Sequence, residues 1–169
     1  MLGTGRNLEL RSAPDLSWAT RSHTHGLTLP AMIVRRDEKV RLISRVPLFE
    51  GCSQAELARI AAIATQVEVG KGEVLLKQGE LGDEFFVLVK GSADVRKGKT
   101  HLRSLKAGEF AGEIALVADT RRTATVTTTS PVTALRVTRR GFSELLKASP
   151  SIQQKLLVAL ANRVAPDSL

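Results

Sequence analysis

Gly112, Glu113 and Arg122 could together hold a phosphorylated sugar. Gly112 has no Cβ, so the chain can turn sharply there and an anion can come close to the backbone. Glu113-Ile114-Ala115-Leu116 are good helix formers, and a short helix starting at Glu113 would offer free N–H groups to that anion. Arg122 stands at the start of a strand-like run, Thr123 to Thr129, from which a guanidinium can fork onto two phosphate oxygens. A carboxylate at a helix start repels phosphate unless it is occupied, so Glu113 suits a ribose hydroxyl better. Taken singly, Gly-Glu is a turn and an arginine is a solvated face. The chemistry requires the whole string to be assembled in one place.

The elements around the string are those of a small sandwich. Asp37 to Arg45 predicts a short helix with Val40 and Ile43 on one face, stopped before Pro47. Ser53-Gln54-Ala55-Glu56 is a capping box, and Leu57, Ile60, Ala61 and Ala64 behind it follow helical spacing. Short strand-like runs follow, broken by Gly-bearing turns: Gln66–Val69, Glu73–Lys77, Glu84–Lys90, Ala93–Arg96, Leu102–Leu105, Thr123–Thr129 and Val132–Val137. The pattern predicts a mainly β fold, a β-sandwich or jelly roll with one helical interruption and flanking helices. Thr138 caps a helix carrying Phe142, Leu145 and Leu146, and Ser149-Pro150 starts another whose Ile152, Leu156, Leu160 and Val164 recur every four residues.

The string Gly-Glu-Ile-Ala-Leu, a spacer, then Arg-Thr-Ala-Thr-Val resembles the phosphate-binding cassette of the cyclic nucleotide-binding domain family. The resemblance extends to Gln78-Gly79-Glu80-Leu81-Gly82-Asp83-Glu84-Phe85-Phe86-Val87-Leu88, to Lys90-Gly91 and to Val46-Pro47-Leu48-Phe49, and covers roughly residues 38 to 164. Ala111 and Arg121 depart from the usual pattern, which more often has a bulky apolar residue and a proline. The family includes cAMP- and cGMP-dependent kinase regulatory domains, cyclic-nucleotide-gated channels and the bacterial catabolite activator. The resemblance implies that Gly112, Ala115, Arg122 and Thr123 hold the cyclic phosphate and that Glu113 and Ile114 serve the ribose. It puts Ala93 and Leu105 on the pocket floor with Arg103 within reach of the base, and makes Leu160, Arg163 and Val164 a lid. The ligand implied is cAMP or cGMP, with no other cofactor, and the output passes to an effector protein or domain outside this chain. A homodimer is an option. The C-terminal lid helices would move on binding.

Composition bounds these readings. The 169 residues suit one domain, residues 37–169, with a flexible or loosely docked tail over residues 1–36. That tail carries five Arg against two acids, a balance that also suits a transit segment, although Glu9 and Asp15 do not. A net charge of +8 favours anionic partners. Cys52 is the only cysteine, no apolar run is long enough to span a bilayer, and the opening residues lack a signal-peptide core, so a cytoplasmic location is expected. No helix-turn-helix follows the last helix, so sequence-specific DNA binding is not expected. An enzyme is not expected either. His23, His25 and His101 make no metal cluster, and Gly98-Lys99-Thr100 lacks the earlier glycine and following helix of a nucleotide-binding P-loop, reading as a hairpin turn. Two other readings compete with the sensor: a degenerate interaction module that binds no nucleotide, and a nonspecific polyanion binder driven by net charge.

Overall fold

The computed structural model describes residues 36–164. The tail, the His23-Thr24-His25 pair and Trp18 lie outside these residues. Helix α1 (Arg36–Ser44) leads through a 3-10 turn at Pro47–Phe49 into α2 (Gln54–Ile63). The expected capping box closes both ways at α2: the Glu56 amide donates to the Ser53 hydroxyl and the Ser53 amide to the Glu56 carboxylate. Strands β1 (Ala64–Val69), β2 (Val74–Leu76), β3 (Glu84–Lys90), β4 (Ala93–Lys97), β5 (Thr100–Leu105) and β6 (Phe110–Ala111) follow. Then come α3 (Glu113–Val117), β7 (Thr125–Thr128), β8 (Val132–Thr138), α4 (Arg139–Ala148) and α5 (Pro150–Val164).

The strands form two four-stranded antiparallel sheets, ordered β1-β8-β3-β6 and β2-β7-β4-β5. Side-chain alternation sorts the core into two layers. Phe86 and Leu88 of β3 join Val95, Leu105, Val126 and Ala134 between the sheets. Phe85 and Val87 point the other way, onto Phe142, Leu145, Ile152, Leu156 and the helices α1 and α2. The first sheet is therefore covered on both faces, which is why β3 reads as an unbroken apolar run and not as an alternating one.

The C-terminal helices are pinned at several points. The Thr138 hydroxyl accepts from the Gly141 amide, the expected cap of α4. Ile152 and Leu156 of α5 are buried, and Lys155 Nζ donates to the carbonyls of Pro47 and Glu50. Leu160, further along, is only half-buried, and past Leu156 the end of α5 hangs on a different contact, described below.

Candidate functional site

The chain between β6 and β7 forms the cassette. Phe110 and Ala111 pair with Val87 and Phe86 of β3, so the cassette leaves directly from the first sheet. Gly112 then takes φ +98°, a left-handed conformation that favours glycine, and α3 begins at the next residue. A Cβ on Gly112 would lie 2.7 Å from the Glu84 carbonyl oxygen and 2.8 Å from Arg122 Nη1. The glycine therefore serves both the turn and the approach of Arg122.

Arg122 lies folded under that turn. Its Nη1 donates to the Gly112 carbonyl at 3.0 Å and its Nη2 to the Glu84 carbonyl at 2.7 Å. The side chain is buried, and burial depresses its pKa, an effect that the Glu84 and Asp83 carboxylates oppose. The loop holding it is stitched to the Gly79–Gly82 turn. Arg122 N–H donates to the Glu80 carbonyl, Gly79 N–H to the Arg122 carbonyl, and Leu81 bridges Arg121. Gly82 completes the seat, since a Cβ there would come within 2.6 Å of Ala115 Cβ and 3.0 Å of Arg122 Cζ. Gly82→Ala is accordingly expected to destabilise the protein by about 1–3 kcal/mol, the usual range for overpacking. Thermal unfolding checks this, and an unchanged midpoint would contradict it.

Glu113 is 1% exposed at the first position of α3. Its Oε1 accepts from Arg163 Nη1, the guanidinium at the far end of α5. Arg163 Nη2 also donates to the Phe110 carbonyl at 2.8 Å, and the guanidinium lies 4.5 Å over the centroid of the Phe110 ring. Burial pushes the Arg163 pKa down to about 10, helped by the positive charge of Arg103 and opposed by Glu109. Arg103 itself leans toward Glu109, its Nη1 3.7 Å from Oε1. The cassette thus gathers a buried guanidinium and a buried carboxylate at the Gly112 turn, with a second guanidinium brought in by the last helix.

Residues 66–149 match the profile of the cyclic nucleotide-binding domain. The chain belongs to the cyclic nucleotide-binding domain family. It is 36% identical over 121 residues to a cAMP-dependent protein kinase regulatory subunit of Mycosarcoma maydis, covering 66% of this chain and 23% of that protein. It is 35% identical over 137 residues to a cyclic nucleotide-gated potassium channel of Rhizobium etli, covering 79% of this chain and 38% of the channel. The regulatory domain of Toxoplasma gondii PKA, solved with cAMP, superposes with a TM-score of 0.69 at 25% identity over 76% of this chain and 50% of that one. The chain spans only 16–38% of the curated relatives it matches.

Within this cyclic nucleotide-binding domain the residues singled out by sequence fall into three places. Gly112, Glu113, Ile114, Ala115 and Arg122 share the cassette, and Thr123 is exposed just beyond Arg122. Ala93 and Leu105 are paired across β4 and β5 and fully buried between the sheets. Half-buried Arg103, also on β5, and Arg163 are close enough for Arg103 to depress the Arg163 pKa. Leu160 and Val164 lie on α5 with Arg163. Arg121 is exposed, its Nη1 donating to the Gly79 carbonyl at 2.9 Å.

Sequence reasoning gave no role to Phe110, Gly82 or the Glu84 carbonyl. Phe110 sits in a two-residue strand with no periodicity to reveal it. The other two act through backbone or through a missing side chain. His101, although in β5, is exposed, with Nε2 3.3 Å from Ser104 Oγ and 3.4 Å from Asp94 Oδ1. Gly98 turns between β4 and β5 as the hairpin expected of Gly98-Lys99-Thr100. No helix among the described residues is long and apolar enough to cross a membrane.

Proposed function

We propose that this chain is a sensor that binds cAMP or cGMP and passes the signal through α5. The observation that carries the reading is that Arg122 and Glu113 are both buried at the Gly112 turn, Arg122 bonded to the Gly112 carbonyl and Glu113 the next residue in the chain. An anion meeting the first-turn N–H groups of α3 also meets the Arg122 fork, and its sugar falls beside the free oxygen of Glu113. The relatives' names supply the ligand class: one is a cAMP-dependent kinase regulatory subunit and another a cyclic nucleotide-gated channel. Arg103, Leu160 and Arg163 then border the base, with Ala93 and Leu105 beneath. The effector is a separate protein or a segment beyond this chain, since the relatives are much longer than the matched region.

A ligand can shift α5 only by binding one of its positions better than the other. Arg163 supplies that difference, because it holds the carboxylate that the ribose also uses. With cAMP bound, amides from Leu157 to Arg163 are expected to exchange more slowly while those of α2 change less. Equal changes in both helices would contradict a signal routed through α5.

Thr123 is expected to decide how well cGMP competes. Guanine carries an exocyclic amino donor that adenine lacks, and an exposed hydroxyl beside Arg122 can accept it. One neutral hydrogen bond is worth ~1 kcal/mol, a fewfold to tenfold preference. Thr123→Ala should therefore lower cGMP affinity more than cAMP affinity in parallel titrations. Equal losses would mean that Thr123 serves only the phosphate.

A further inference from the structure

A groove of about 300 Å³ runs between α2 and α4, on the far side of the first sheet from the sandwich interior. Ile60 and Leu145 form its buried floor, and Ile63 and Ala148 form apolar walls. Glu56 and Glu144 stand on its rim beside Arg59, with Arg140 paired to Glu144 at 3.0 Å. Gly141 marks one end, where a Cβ would lie 3.4 Å from Ile63 Cβ.

We propose that the chain's own segment Leu29-Pro30-Ala31-Met32-Ile33-Val34, outside the described residues, fills this groove. The place where the chain enters the structure supports this. Helix α1 begins at Arg36, and Lys39, within its first turn, donates from Nζ to the carbonyls of Ala61 and Ala64 on either side of Ile63. The segment therefore arrives at the Ile63 end of the groove. From Ile63 back to Glu56 the groove follows α2 for about 10 Å at 1.5 Å per residue. Six extended residues span about 20 Å, so the reach suffices.

Chemistry agrees with geometry. Every residue from Leu29 to Val34 is apolar, and Pro30 biases Leu29 toward an extended backbone that can lie along a groove.

The test uses the full chain with Cys52→Ser as background. Ala31→Cys and Ala148→Cys, which the proposed path brings together at the Glu56 end of the groove, are introduced together and oxidised, with Asn7→Cys and Ala148→Cys as the control pair. An intrachain disulfide formed well ahead of the control supports the proposal. A disulfide-linked dimer, placing a second copy's segment in the groove, overturns it, and so does cross-linking no faster than the control.

Amide exchange without cysteines gives an independent reading. Residues 29–34 should exchange at least about fivefold more slowly than residues 2–12. Ala148→Lys should abolish the difference while β3 keeps its protection, since a lysine at the C-terminal end of α4 is compatible with the helix and replaces an apolar wall of the groove with a charged side chain. Equal exchange of the two segments in the parent chain overturns the proposal.

Discussion

Arg122→Ala is expected to weaken cyclic nucleotide binding more than any other single change in the cassette, by about 2–5 kcal/mol. That corresponds to roughly 30- to 4,000-fold in Kd. The size follows from burial. The Arg122 guanidinium is already desolvated and held in place by the Gly112 and Glu84 carbonyls, so it offers the phosphate a preset donor at no further ordering cost. Arg122→Lys should recover only part of the loss, since an ammonium cannot hold two carbonyls and fork onto a phosphate in one plane. Arg121→Ala should be nearly neutral, because Arg121 is exposed and bonds one carbonyl of a surface turn. Circular dichroism of each variant separates lost binding from lost folding. Equal losses at Arg121 and Arg122 would favour a polyanion binder over the sensor.

The second large effect is expected at the Glu113–Arg163 pair. Removing one partner of a buried ion pair typically costs about 3–5 kcal/mol. Here α5 can release the strain, because among its described side chains only Ile152 and Leu156 are fully buried and its last turn can swing into water. Arg163→Ala should therefore appear as faster amide exchange from Leu157 to Arg163, with the sandwich unchanged. Glu113→Gln should loosen the same turn and weaken ribose recognition, though less than Arg122→Ala weakens phosphate recognition, because the amide still accepts a hydrogen bond. The double variant should loosen α5 no further than the worse single one. Additive effects would show that the two side chains act independently. Truncating the chain before Gln154 is a poorer test of the lid, because it also strips Leu156 from the core and Lys155 from its anchor on Pro47 and Glu50.

The parts of this fold that were legible in the sequence are those specified locally. The α2 capping box, the Thr138 cap and the β3 run need only neighbouring residues, and each falls where the pattern puts it. Boundaries are less legible where no breaker marks them. Helix α2 passes into β1 at Ala64 with φ −90° and ψ 138°, two residues ahead of the expected Gln66, and neither Gly nor Pro lies there. Strand β5 starts at Thr100 and not at Leu102, because the outward residues Thr100 and His101 pair with Lys97 and Arg96 by backbone alone.

The site divides in the same way. Gly112, Glu113 and Arg122 were readable because they are close in sequence. The meeting of Glu113 with Arg163, fifty residues on, depends on where the 3-10 turn at Pro47–Phe49 anchors α5, and no local pattern encodes that. Arg163 is on α5, the helix expected to act as a lid, and its partner is Glu113, the proposed ribose carboxylate.

Calorimetric titration of the full chain with cAMP and cGMP, each at low and high salt, tests the central proposal most directly. The proposed site predicts one saturable event per chain with at least one of the two nucleotides. The affinity should fall only modestly with salt, because the phosphate meets buried donors and not a screened surface. The event should be lost in Arg122→Ala and be much weaker with linear 5′-AMP. Silence with both cyclic nucleotides would contradict the account, as would binding that fades steeply with salt and is shared equally by 5′-AMP.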